Sequence, residues 1–284
     1  MSAWLQPEPA NWWQVVDDAV QEDVGSGDLT GGCLDPEQSS EYTISVHHEG
    51  VLSGVGVAEY LLSPYANDAE ESRIEILKMD GERAGRGEVI VAGAISSRRL
   101  LMAERIILNF MSHLSGIATL TAQFVAKVGD SGAQITDSRK TTPGMRALQK
   151  YAVRCGGGHN HRMGLFDGVL VKDNHIRACG DIATAVERIR SYLSHMAKIE
   201  VECKSMEDVE QAIDAGADVV LLDNMDPFMM REAVKRFEGR CIFEAGGGIS
   251  LETVRGVAQT GVDFISIGQI THSAPALPIN LEVK

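Results

Sequence analysis

The residues best suited to chemistry gather in one stretch, residues 136–175, which reads TDSRKTTPGMRALQKYAVRCGGGHNHRMGLFDGVLVKDNH. It carries seven cations, Arg139, Lys140, Arg146, Lys150, Arg154, Arg162 and Lys172, and three histidines, His159, His161 and His175. Against these stand only three acids, Asp137, Asp167 and Asp173, so the stretch is +4 in a chain whose formal net charge is -14. Solubility alone would set the opposite sign here, so the cations are expected to face an anion other than the protein itself. Guanidinium groups grip a carboxylate or phosphate through two parallel bonds, and ammonium groups act as point charges; both types are present.

Each motif admits a bland and a chemical reading. In DSRKTTPG, Ser138, Arg139 and Lys140 leave a strand end, either as a solvated loop or as the mouth of a pocket. GGGHNHR, residues 156–162, lets backbone approach a ligand and presents His161 with Arg162. Its HxH pattern lacks a third ligand at usable spacing and has cationic neighbours, so metal binding by these histidines is not expected; His159 and His175 are read as structural. VKDNH places Lys172 after an apolar strand, where a desolvated lysine could form a Schiff base with a carbonyl substrate. Glu202 and Asp223 end two other strands. They either neutralise buried arginines, or hold Mg2+ and stabilise a positively charged sugar transition state.

Those residues must be positioned by a regular frame. Residues 9–23 repeat apolar positions at helical spacing, Tyr42, Ile44 and Val46 alternate as in a half-buried strand, and Ile74, Ile76, Val89 and Val91 continue that style. Residues 55–62 read as a helix, and 97–128 as two helices broken near Gly116. After Gly129 the pattern becomes strand, loop and capped helix. The strands fall at 133–137, 168–172, 198–202, 218–223, 241–244 and 262–267, and the helices open at Thr142-Pro143, Asp181, Ser205, Asp226-Pro227 and Ser250. Such alternation means parallel strands with right-handed crossovers. Asp137, Lys172, Glu202, Asp223 and Glu244 are each placed at a strand's carboxyl end, which favours a barrel mouth over the crevice of an open sheet. The glycines of GGGIS, residues 246–250, and of SIG, residues 266–268, follow the last two strands, where barrels bind phosphate through backbone N–H groups. The alternating Ile279, Leu281 and Val283 are expected to return as a strand to the first sheet.

Composition narrows the function classes. The 284 residues are 44% hydrophobic, enough for one large core or two smaller ones. The acidic balance argues against nucleic acid. Cys33, Cys155, Cys179, Cys203 and Cys241 are scattered singly, which speaks against a zinc site or a disulfide framework and for a reducing, cytoplasmic setting. No secretory leader or membrane-length apolar run is read.

The 136–176 segment, together with KIEVE, DVVLLDN, EAGGGIS and FISIGQITHSAPAL, closely resembles the signature region of the quinolinate phosphoribosyltransferases, the carboxylating nicotinate-nucleotide pyrophosphorylases. AERIILNFMSHLSGIAT resembles that family's linking helices. The resemblance implies an N-terminal open-faced α/β sandwich domain, residues 1–114 with the tail 275–284, and an incomplete α/β barrel of fewer than eight strands, residues 115–274. It implies transfer of phosphoribosyl from phosphoribosyl pyrophosphate to quinolinate with Mg2+, releasing pyrophosphate and CO2 and leaving nicotinate mononucleotide for NAD synthesis. By the same resemblance Arg139, His161, Arg162 and Lys172 cage the quinolinate carboxylates, and Lys140 is shared between substrates. Glu202 and Asp223 attend the ribose and metal, Gly246, Gly247, Gly248, Gly268 and His272 lie toward the phosphate, and Ser138 is a further substrate-binding residue at the mouth. Arg105 matches an arginine donated across a homodimer interface, within a dimer or a larger homo-oligomer. Gly246 departs from the family's usual serine, so a hydroxyl contact would be lost. A Schiff-base aldolase and a non-catalytic anion-binding protein remain as rivals.

Overall fold

The computed structural model describes residues 11–63 and 72–284. Two compact units are present: one holds the described residues up to Ala122 with Thr141–Gly157 and the segment from Ile270 onward, and the other holds Gln123–Lys140 and Gly158–Gln269.

In the first unit, α1 (Trp13–Val24) precedes β1 (Ser39–Val46), β2 (Gly50–Val51), α2 (Val55–Leu62), β3 (Arg73–Ile76), β4 (Arg83–Ala84) and β5 (Val89–Ser96). The expected first helix opens at Trp13, where its apolar pattern begins, and residues 9 and 10 of the expected stretch lie outside the described part. The two-residue period of β1 turns Tyr42, Ile44 and Val46 inward. That face packs on Leu52, Val55, Ala58 and Leu62, and on Leu100, Ala103, Ile107 and Met111 of α3 (Ser97–Val128). Burying each large aliphatic side chain contributes about 1.5–3 kcal/mol. The sheet is antiparallel in the order β12-β1-β5-β3, where β12 (Ile279–Val283) is the anticipated returning strand, in register from Tyr42↔Val283 to Val46↔Ile279.

The expected break near Gly116 is absent: α3 is one helix of 32 residues. A Cβ at Gly116 would meet the carbonyl oxygen of Pro275 at 2.2 Å. The glycine therefore admits a crossing backbone. Its helix-propensity cost of about 1 kcal/mol is offset by the buried Leu114, Ile117 and Ala118 beside it.

The second unit is built on six parallel strands: β6 (Gln134–Thr136), β7 (Val169–Val171), β8 (Ile199–Cys203), β9 (Val219–Asp223), β10 (Ile242–Gly246) and β11 (Phe264–Ser266). Their order, β6-β11-β10-β9-β8-β7, is the cyclic order of a barrel opened between β6 and β7. A single parallel bridge joins Thr136 to His159 on the open flank of β6. This is an incomplete barrel of fewer than eight strands, as the strand count implied.

Three expected helix starts hold. Asp181 accepts from Thr184 N–H at 2.7 Å before α6 (Ile182–Arg190). Ser205 and Asp208 exchange caps at the head of α7 (Met206–Asp214), and Asp226 accepts from Phe228 and Met229 N–H with Pro227 first in α8 (Pro227–Arg236). Such caps are each worth about 1 kcal/mol. Two expectations are corrected. Thr142-Pro143 opens no helix, because Thr142 is committed to a turn: its carbonyl accepts from Met145 N–H and its own N–H donates to Gln149, so α4 (Arg146–Cys155) starts later. At Ser250 the chain likewise makes a turn before α9 (Val254–Ala258). A short helix that the periodicity did not indicate, α5 (Asp173–Cys179), follows β7, and α10 (Gln269–His272) follows β11. No helix among the described residues is long and apolar enough to cross a membrane.

Candidate active site

Strand register decides which side chains share a face. Paired residues in parallel strands point the same way, and the pairs Leu170↔Glu200, Glu202↔Leu221, Gly246↔Asp223 and Ser266↔Thr136 tie the strands together. With a two-residue period, one face then carries Leu170 and Lys172, Glu200 and Glu202, Leu221 and Asp223, Glu244 and Gly246, Ser266 and Gly268, and Thr136 and Ser138. The candidate residues of the second unit's strands therefore converge, with Lys172, Glu202, Asp223, Gly246, Gly268 and Ser138 toward the carboxyl ends. Glu244 is corrected: it lies in the middle of β10, buried, and not at the strand end.

The basic loops are pinned by Asp137, fully buried after β6. Its carboxylate accepts from the Asn160 amide at 2.6 Å and from His161 N–H at 3.0 Å. Arg162 Nη1 donates to the Gly168 carbonyl at 2.8 Å, and Asp167 accepts from Met163 and Gly164 N–H, which closes the next loop. Arg162 is held below the usual guanidinium range by partial burial first, then by the positive charge of Arg139; Glu200 and Asp167 oppose this. Two cations thus crowd one another, a disposition that an anion would relieve.

Lys172 presents its ammonium 3.2 Å from Glu202, with half of the side chain exposed. Its backbone heads α5, donating to the His175 ring at 3.0 Å while its carbonyl accepts from His175 and Ile176 N–H. Half-exposed and ion-paired to Glu202, this lysine lacks the apolar enclosure that is one way of activating a Schiff-base amine.

Below this rim lies a group that the sequence reading did not bring together. His161 Nε2 is 2.9 Å from Glu200 and 3.7 Å from Glu244. Both acids are buried, and one oxygen of each has no hydrogen-bond partner. Burial and the nearby Glu200 push Glu244 up to about 7. The three side chains offer ligand atoms within 4.8 Å of one another. A metal there would need the Nε2 lone pair. Arg162 N–H donates to Nδ1 at 2.8 Å, which puts the ring proton on Nε2, aimed at Glu200. The cluster therefore suits a proton better than a metal. Glu200 could have been found from IEVE, since acids two apart on a buried parallel strand share a face.

At the glycine-rich end, Gly247 and Gly248 have φ of 91° and 60°, which favours glycine and exposes their backbone. A Cβ at Gly246 would lie 3.0 Å from both Leu221 and the Ser266 hydroxyl, so the strand is closely packed where the family's serine is missing. Arg105 and His272 belong to the first unit: Arg105 is exposed on α3, and the His272 ring contacts the Ser273 hydroxyl at 2.6 Å.

Residues 28–115 match the N-terminal domain of quinolinate phosphoribosyl transferase, and residues 117–282 match its C-terminal domain. The chain is 43% identical over 262 residues to a probable nicotinate-nucleotide pyrophosphorylase [carboxylating] of Bacillus subtilis, covering 92% of this chain and 90% of the relative. It is 40% identical over 280 residues to the protein so named in Methanothermobacter thermautotrophicus, covering 95% and 98%. The crystal structure of nicotinate-nucleotide pyrophosphorylase from Ehrlichia chaffeensis superposes with a TM-score of 0.90 at 38% identity, covering 95% of this chain and 98% of that one. By matches to both domains and by full-length relatives, the chain belongs to the quinolinate phosphoribosyl transferase family.

Proposed function

We propose that this protein is a pentosyltransferase that moves phosphoribosyl from phosphoribosyl pyrophosphate to quinolinate, with decarboxylation, to give nicotinate mononucleotide, pyrophosphate and CO2 in NAD biosynthesis. The feature that supports this reading is the disposition of charge: the positive charge of Arg139 acts on Arg162, and the strand face that ends in Lys172 also bears Glu202 and Asp223. A planar diacid satisfies two guanidinium groups and an ammonium at once, and a sugar whose anomeric carbon turns cationic suits two carboxylates.

Arg139, Arg162 and Lys172 would hold the two carboxylates of quinolinate, leaving its ring nitrogen free to attack the anomeric carbon as the bond to pyrophosphate breaks. His161, with its ring proton already directed at Glu200, would contribute by fixing the main chain that carries Arg162. Glu202 and Asp223 would face the developing oxocarbenium charge, and Lys140 would lie between the two substrates. The backbone of residues 246–248 and Gly268 would receive phosphate. Loss of CO2 from the carboxyl group beside the newly cationic ring nitrogen leaves its electron pair to that nitrogen as sink, and a proton then takes its place on the carbon.

Hard carboxylate oxygens suit Mg2+, and Glu202 and Asp223 would hold the ion together with substrate phosphates. Mg2+ bound there supplies charge neutralisation for pyrophosphate. Arg105 is proposed to enter the site of a second copy in a homodimer or larger homo-oligomer. Incubating the purified protein with quinolinate, phosphoribosyl pyrophosphate and Mg2+ should yield the mononucleotide and CO2 in equal amounts. Ligand binding without turnover would favour an anion-binding protein, and borohydride trapping at Lys172 would favour an aldolase.

A further inference from the structure

Asn224 follows Asp223 at the end of β9 and is the one non-glycine residue among those described with a positive φ, 55°. Asparagine tolerates that region better than most residues, but glycine tolerates it better still, so backbone shape alone does not call for an amide. The side chain has two further engagements. Its Nδ2 donates to Asp223 Oδ1 at 2.9 Å. Its amide also fills the space above Gly247, where an added Cβ would lie 2.3 Å from Asn224 Oδ1 and 2.4 Å from Cγ. The backbone closes the arrangement, with Asn224 N–H donating to the Gly246 carbonyl at 2.9 Å. One side chain thus touches the acid assigned to the sugar and the glycine turn assigned to phosphate.

Resting on the phosphoribosyl transfer proposed above, we infer that Asn224 is a positioning residue that sets the Asp223 carboxylate relative to the 246–248 turn. It orients one end of the phosphoribosyl donor with respect to the other. The residue touches no reacting atom and acts through Asp223 and Gly247.

Two variants separate this role from backbone fit. Asn224→Gly keeps the favourable φ and removes the amide. Asn224→Asp keeps shape and size but replaces the donor with a second carboxylate against Asp223. Loss of a hydrogen bond to a charged group predicts that Asn224→Gly raises KM for phosphoribosyl pyrophosphate and lowers kcat, each about tenfold. KM for quinolinate and the thermal midpoint should stay near wild type, and Asn224→Asp should be slower still. Wild-type kinetics in Asn224→Gly, or an equal rise in both KM values, would overturn the inference. The crystal structure of Asn224→Gly reads it without turnover: a redirected Asp223 carboxylate or glycine turn supports it, and an unchanged pair refutes it. Wild-type protein that makes no mononucleotide would count against the proposed reaction and leave that crystallographic test standing.

Discussion

Replacing Glu244 with glutamine should make the protein more stable at neutral and alkaline pH, although it alters a buried residue beside the site. In the native state the carboxyl group is enclosed on β10 and faces Glu200, and its pKa rises from 4.5 to about 7. The folded protein therefore keeps a proton that the unfolded chain has already released. Between those two values stability falls as pH rises, and above pH 7 the whole penalty applies. The rise corresponds to roughly 3 kcal/mol. Glutamine has no charge to bury, and its amide can donate to Glu200, whose Oε1 lacks a partner. Wild type and Glu244→Gln should match near about pH 4 and diverge steadily toward about pH 8, with the variant the more stable by up to roughly 3 kcal/mol. Urea unfolding followed by far-ultraviolet circular dichroism is the appropriate assay, because Trp12 and Trp13 belong to the first unit and Glu244 to the second. Parallel stability profiles for the two proteins would show that Glu244 carries no such penalty.

The cage assignment makes Arg139→Ala the cleanest kinetic test, since Arg162 also braces its loop through Gly168. The substitution should raise quinolinate KM and lower kcat, for a loss in kcat/KM on the order of a hundredfold; unchanged kinetics would remove Arg139 from the site. If Arg105 acts on a second copy, mixing Arg105→Ala with Lys172→Ala subunits should restore part of the activity through one intact composite site. Verified mixed oligomers with no activity would exclude it. Gly116→Ala should lower the thermal midpoint through about 1–3 kcal/mol of overpacking against the Pro275 carbonyl; an unchanged midpoint would refute close approach as the reason for glycine there.

What could be read from the chain depended on how local the determinants were. Asp181, Ser205 and Asp226 announce helices because a cap is satisfied within three residues. The β1 alternation and the returning strand were legible because a half-buried antiparallel sheet imposes a two-residue period. Gly116 misled because its reason lies in contact with Pro275, far along the chain. Pro143 misled because the turn around Thr142 is held by Gln149 seven residues on. Helix α5 buries no side chain, so it has no apolar stripe to reveal it. At the site, the exposed cations stood out by charge. The cluster of His161, Glu200 and Glu244 depends on three separate segments meeting, which no spacing expresses.

The pairing of β12 with β1 has a bearing on how the polypeptide reaches its native state during synthesis. More than two hundred residues separate these neighbours, so the first sheet emerges from the ribosome with the outer side of β1 unpaired and able to bond with another nascent chain. Only when residue 283 has cleared the exit tunnel can that rim be sealed. Deleting β12 should therefore be felt first as aggregation during expression, well before any loss of turnover.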